Sequence, residues 1–257
     1  MKKLGKIYIL IIMLFLYLPI FTLMVLSFNE AKSMAVFTRF SFKWYAELFQ
    51  SRLMMGAIVN TFSIAILAAL IATIVGTMAV LGMDAMKPRT ENVLLAANNI
   101  PMLNADIVTG IALMLFFLML NIPRGYCTIL FSHATFCIPY VILSVRPRLN
   151  KNTDRLFEAA LDLGASEKYA FRKIVLPELW PGISSGFLLS FTMSVDDFII
   201  TYFTRGAGIN TISTLIYSEV KIGIRPSLFA LSTIIFVVAL VVLLIVNARQ
   251  AKADAAA

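Results

Sequence analysis

The chain has 257 residues, of which 60% are hydrophobic, with a mean hydropathy of +0.88. Soluble domains are about 45–50% apolar, so the composition excludes a soluble globular protein and predicts an all-α integral membrane protein with one transmembrane domain over residues 1–257. The net charge of +8 would suggest nucleic acid in a soluble chain; here the excess of cytoplasmic Lys and Arg in membrane proteins accounts for it.

Residues 1–28 have a basic start (Lys2, Lys3, Lys6) and an apolar run too long for a secretory h-region, with no clean small-x-small cleavage site after it. They read as a retained first span, about 7–27. Residues 29–56 form an outside segment in which Ser41 to Phe49 is a short interfacial helix, with Trp44 as an aromatic-belt anchor or a contact beside an outer gate. The second span is about 57–82, and Asp84 to Glu91 is a turn. The third, about 100–120, contains Asp106. The fourth, about 126–145, follows a tight turn and holds Ser132, His133 and Thr135. His133 reads first as a hydrogen-bonded packing residue. A polar loop, 146–182, precedes the fifth span, about 183–203, which carries Asp196 and Asp197. The sixth span is about 227–246, followed by an Ala-rich tail.

Six spans put both termini on one side. That side holds fourteen Lys and Arg, seven of them in the 146–182 loop, against eight on the other. The richer side is cytoplasmic. Cys127 and Cys137 share one span ten residues apart and imply no disulfide. A single histidine argues against a His-based metal site.

The polar loop contains Glu158-Ala159-Ala160-Leu161-Asp162-Leu163-Gly164-Ala165-Ser166 and continues to Ile174-Val175-Leu176-Pro177. Asp154 is placed to cap a helix over about 155–163. Gly164 sits where a left-handed stop is needed. Ser166 can cap a second helix with Glu167 in its first turn, and Pro177 ends it. The product is a helix–Gly–helix elbow whose first arm turns Leu156, Ala159, Ala160 and Leu163 to one side. An ordinary amphipathic surface helix is the bland alternative.

No nucleophile–base constellation is visible. Residues 164–171 lack the second Gly and the Gly-Lys-Ser/Thr ending of a phosphate loop, so the chain is expected to be no enzyme and to hold no cofactor. The chemistry lies in three intramembrane acids: Asp106, Asp196 and Asp197. An ionised Asp at mid-bilayer costs about 2.5–3.5 kcal/mol, and no Lys or Arg lies in a span to pair with one. A path lined by acids alone suits a cation. On one continuous helix, Gly186, Ser190, Ser194, Asp197 and Thr201 form a small polar stripe that either lines an aqueous path, the favoured reading, or packs on another helix. Asp196 lies about 100° around the helix and would cap or brace a neighbour.

Glu158, Ala159, Ala160, Gly164, Ile174, Leu176 and Pro177 fall at every position of the cytoplasmic loop signature of ABC-importer permease subunits. Along nearly its whole length the chain is similar to permeases of spermidine/putrescine importers, in Phe131-Ser132-His133-x-Thr135-Phe136-Cys137-x-Pro139, in the elbow through Glu167, in Ser190-Phe191-Thr192-x-Ser194-x-Asp196-Asp197 and in Ile216-Tyr217-Ser218-x-Val220-Lys221-x-Gly223. The resemblance implies a six-span permease of the bacterial cytoplasmic membrane, paired with a second permease chain, two ATPase subunits and an extracytoplasmic polyamine-binding protein. It implies that ATP is hydrolysed by the ATPase subunits, which pull the elbow to turn the permease pair between inward-open and outward-open. It ties Trp44, Asp106, Ser194, Asp196 and Asp197 to polyamine passage, and Glu158, Ala159, Ala160, Gly164 and Glu167 to coupling. The family often has Pro-Asp where this chain has Ala105-Asp106, which bears on the helix start. The rivals are another cation or a small organic solute carried by the same machine, and an ATPase-independent channel.

Overall fold

The computed structural model describes residues 2–32 and 36–254, with side chains for all of these except 2–4, 151, 239 and 242–254. The side chains of Lys2, Lys3, Lys151, Arg249 and Lys252, counted above, and the last three tail residues lie outside that description. The described residues form helices α1 (Lys2–Ser27), α2 (Lys43–Gln50), α3 (Arg52–Asp84), α4 (Pro88–Leu103), α5 (Asp106–Met119), α6 (Tyr126–Val145), α7 (Lys151–Asp162), α8 (Glu167–Ala170), α9 (Leu176–Asp196), α10 (Ile199–Thr204), α11 (Ile212–Ile222) and α12 (Pro226–Asp254). The only pairing of extended backbone among them is a bridge between Asn29 and Phe40.

Four runs are long and apolar enough to cross a bilayer: Gly5–Ser27, Arg52–Asp84, Tyr126–Arg148 and Glu167–Asp196. The pair α4 and α5 is a fifth candidate, bent by 101°, and α12 adds the shorter apolar stretch Pro226–Val238. This is compatible with six crossings. It corrects the third span, expected as one helix over 100–120. Asn104 and Ala105 are extended (ψ 147° and 135°), and a separate helix, α4, occupies residues read as turn and span entry. Pro101 in its last turn removes an amide donor where the helix ends. Helix α11 is likewise an addition to the segment expected to lie outside.

The chain forms two compact units. One comprises residues 56–214. Its core is the seam of α6 and α9, where Val141, Val145 and Leu179 are buried. Glycine permits the close approach: a Cβ at Gly182 would lie 2.8 Å from the Ser144 carbonyl oxygen, and one at Gly186 3.3 Å from Val141 Cα. The α5–α10 contact is similar, with Gly110 against Phe203 at 3.1 Å from a notional Cβ. The other unit comprises residues up to 55 and from 215 onward. There α1 lies along α12, with Tyr17 edge-on to Phe236. Phe28, Phe40, Phe42 and Tyr45 stack into an aromatic knot at the foot of α1. Most side chains of α1 are exposed and apolar, as lipid-facing or partner-facing surface requires.

Candidate translocation and coupling sites

The fifth span is not one helix. It stops at Asp196, Asp197 is extended (φ −63°, ψ 127°), and α10 restarts at Ile199. The cause is local. The Asp197 carboxylate accepts the amide N–H of Ile200 (3.2 Å) and of Thr201 (2.8 Å), so the side chain serves the new helix start and competes with continuation of the old one. Its backbone carbonyl accepts from Ser213 Oγ at 2.7 Å.

His133 of α6 completes the arrangement. Its Nε2 lies 3.3 Å from Asp197 Oδ2 and 2.8 Å from Thr201 Oγ1, and its Nδ1 lies 2.7 Å from Ser194 Oγ. The Thr201 hydroxyl donates to Asp197 Oδ2 (2.9 Å), so it accepts at Nε2, which therefore carries a proton. His133, Ser194 and Thr201 are at most 4% exposed. The hydrogen-bonded reading of His133 holds, and its partners are functional candidates.

This corrects three expectations. Asp197 is not an unpaired acid: its side chain is 8% exposed and braced by the one histidine. The stripe of Gly186, Ser190 and Ser194 faces α6 and is buried, so these small residues serve close helix packing. Asp196, expected to brace a neighbour, is the exposed member of the pair. The exchange of roles follows from the break, because Asp197 is itself extended and no longer shares the helical register of Ser190 and Ser194.

Asp196 and Asp197 line a cavity of about 360 Å³ together with Asp106, Phe136, Thr192, Met193, Phe198 and Ile199. Asp106 is the first residue of α5, with Ala105 in the cap position. The helix thus starts where a Pro-Asp pair would start it, and the carboxylate sits at the positive end of the helix dipole. The lining has three acids, two aromatic rings and no basic residue. Trp44 is not among the lining residues: it is 2% exposed, and its Nε1 donates to the Asn29 carbonyl at 2.5 Å. Its ring is enclosed by its own unit and is not an exposed belt anchor.

The elbow forms with two changes. Asn150, not Asp154, caps α7, its Oδ1 accepting from the amides of Asn152 (2.9 Å) and Thr153 (3.3 Å), so the arm begins four residues earlier than expected. At the other end Gly164 has φ +87°, its N–H donates to Leu161 O, and the Ala165 N–H donates to Ala160 O. This is the left-handed stop expected from glycine. Ser166 precedes α8 in an extended conformation, but its side chain makes no capping bond. Pro177 does not end the second arm. A π-turn over Phe171–Val175, in which the Leu176 N–H donates to Phe171 O, carries the helix through into α9. Glu167–Asp196 is therefore one 30-residue run. The wide turn makes room for the proline ring. Leu156, Glu158, Ala159, Leu163 and Glu167 are exposed.

A helical membrane protein with an acid-lined intramembrane cavity and a glycine-hinged elbow leading directly into a span has the parts of a transport permease. The sequence model for inner-membrane components of binding-protein-dependent transport systems matches residues 85–253, and the chain belongs to that family. It is 36% identical over 230 residues to the spermidine/putrescine transport system permease protein PotC of Escherichia coli K12, covering 90% of this chain and 87% of that one. It is 38% identical over 226 residues to PotC of Haemophilus influenzae, covering 88% of each. It is 37% identical over 228 residues to the putrescine transport system permease protein PotI of E. coli K12, covering 86% and 81%. In fold it matches a chain of a bacterial ABC transporter involved in import of the acidic polysaccharide alginate, with a TM-score of 0.74, 15% identity and coverage of 97% and 95%.

Proposed function

We propose that this chain is the permease subunit of an ATP-driven polyamine importer. It contributes half of the translocation path beside a second permease and couples through its elbow to ATPase subunits that hydrolyse the ATP. An extracytoplasmic binding protein delivers the cargo. The observation that carries the cargo assignment is the cavity where Asp106, Asp196 and Asp197 meet Phe136 and Phe198 without a basic residue. Separated carboxylates can meet the spaced ammonium groups of a polyamine in turn, while the rings and Met193 pass its methylene stems. Discrete, modest sites let the cargo leave as well as enter. The names of the 36–38% identical relatives support the same cargo. Within the cavity Asp106 and Asp196 contact the cargo, and Asp197 sets the shape of the broken span through His133.

For coupling, α7 presents the exposed Leu156, Ala159 and Leu163 to an ATPase groove, and the rigid run from Glu167 to Asp196 conveys its displacement to the break at Asp197. The excess of Lys and Arg on the side of the elbow and both termini supports a cytoplasmic location for all three. The test is uptake of labelled putrescine and spermidine by the complex reconstituted with its ATPase, second permease and binding protein. ATP-dependent uptake competed by polyamines and not by anions is expected. Failure of polyamines to compete would overturn the assignment.

A further inference from the structure

A second cavity lies on the inner side of the elbow, opposite its exposed face. It measures about 180 Å³ and is lined by Leu81 and Asp84 at the end of α3, by Thr153, Asp154 and Phe157 of α7, and by Phe171 of the π-turn, among others. Among the described side chains its charge is unbalanced. Arg146 directs its closest contacts to Glu91, with Nε 2.6 Å from Oε1, and reaches Asp84 only at 3.7 Å. Asp154 has no ion pair among the described residues, and its charge and that of Glu91 both bear on Asp84. Thr153 is 3% exposed, and its Oγ1 has no hydrogen-bond partner among the described residues. A buried hydroxyl without a partner is costly and rare.

We propose that this cavity binds a protonated primary amine from the cytoplasmic side. An ammonium group has three donors and no acceptor. The cavity offers three acceptors of matching chemistry in Asp84, Asp154 and the Thr153 hydroxyl, with Leu81, Phe157 and Phe171 to cover a methylene chain. A divalent metal would need six or more oxygen ligands, and no group of three metal-ligating side chains occurs among the described residues. An amine held here bridges Asp154 on the moving arm to Asp84 on α3. It ties the elbow to the span it must move against, so occupancy restrains coupling. The choice of a diamine as the natural ligand rests on the proposed cargo, and the restraint of coupling rests on the proposed role of the elbow.

The experiment uses the purified permease–ATPase complex in lipid nanodiscs without binding protein, titrated with putrescine, with no uptake measured. Two readouts are hydrogen exchange of the α7 amides and ATP hydrolysis. Putrescine should slow exchange across α7 and lower hydrolysis. Loss of one charge-assisted bond should raise the half-effect concentration about tenfold in Asp154→Asn. Thr153→Val should raise it in the same direction, and Asp162→Asn, an equal charge change on the exposed side of α7, should leave it unchanged. No protection of α7, or equal titrations for Asp154→Asn and the parent, would overturn the site. Failure of polyamines to compete in the separate uptake test on the reconstituted complex, with α7 protection intact here, would instead overturn the proposed cargo, so the two failures are separable.

Discussion

His133 Nε2 and Asp197 Oδ2 face each other at 3.3 Å across the break in the fifth span, and both side chains are almost wholly removed from solvent. The contact joins α6 to the junction between α9 and α10, and Thr201 and Ser194 close the network on either side. Removing one member of a buried pair strands the other, at a cost of about 3–5 kcal/mol. His133→Leu should therefore lower the melting temperature of the purified complex more than Asp197→Asn, which keeps an oxygen to accept the Thr201 N–H. Equal melting temperatures for parent and His133→Leu would remove the brace.

Asp106 and Asp196 carry the other half of the acid chemistry. Both are exposed on the cavity wall, so neutralising them leaves the fold intact. Asp196→Asn and Asp106→Asn should each lower kcat/KM for putrescine uptake about tenfold, one charge-assisted bond's worth, with unchanged melting temperature. The uptake defect of Asp197→Asn should instead track its loss of stability. Wild-type uptake by the Asp106/Asp196 double Asn variant would dismiss the cavity as the path.

At Gly164 the backbone is left-handed and a Cβ would meet nothing within 4 Å. A substitution there acts through the backbone alone. Gly164→Val should cost about 1–2 kcal/mol in the turn and re-aim α8, reducing ATPase stimulation while membrane insertion survives. Gly164→Asn, which tolerates the left-handed region, should retain most coupling. Transport at parental rates in Gly164→Val would reduce the elbow to a surface helix.

Gly182 tests the α6–α9 seam. A Cβ there would lie 2.8 Å from both the Ser144 carbonyl oxygen and Arg148 Cγ. The Arg148 side chain can turn aside, but the backbone oxygen cannot. Gly182→Ala should destabilise the subunit by about 1–3 kcal/mol, as overpacking does. A melting curve identical to the parent's would mean that the helices slide freely.

Lys168 is exposed at the start of the second arm. In a background lacking its two native cysteines, Lys168→Cys should react with an impermeant thiol reagent from the cytoplasmic side only. Labelling from outside in intact cells would invert the topology and remove the elbow from the ATPase.

Much of this was readable from residue order. The fourth span matches α6 residue for residue, because an apolar run bounded by Gly125 and Arg146 leaves little choice. Gly164 announced its own conformation, since a helix followed by glycine and then Ser-Glu is stop and start chemistry. The break at Asp197 was hidden because its capping bonds are local but the support that holds the carboxylate is tertiary: His133, in the preceding span, braces it. Periodicity assumes a continuous helix, so it assigned Asp196 and Asp197 each other's roles. Trp44 misled similarly, since a tryptophan near an interface reads alike whether it meets lipid or, as here, the Asn29 carbonyl. A signal for the break did exist in the helix-capping chemistry of Asp followed three and four residues later by free amide donors.

The π-turn at Phe171–Val175 has a consequence for engineering. A wide turn accommodates one residue more than an α-turn, and a residue in an α-helix subtends about 100°. The bulge therefore sets the azimuth of the elbow relative to every position of the fifth span beyond it. Chimeras that splice one permease's elbow to another's span will keep their phase only if the junction leaves residues 171–175 whole. A crossover inside them can preserve every side chain at both ends and still deliver the pull in the wrong direction.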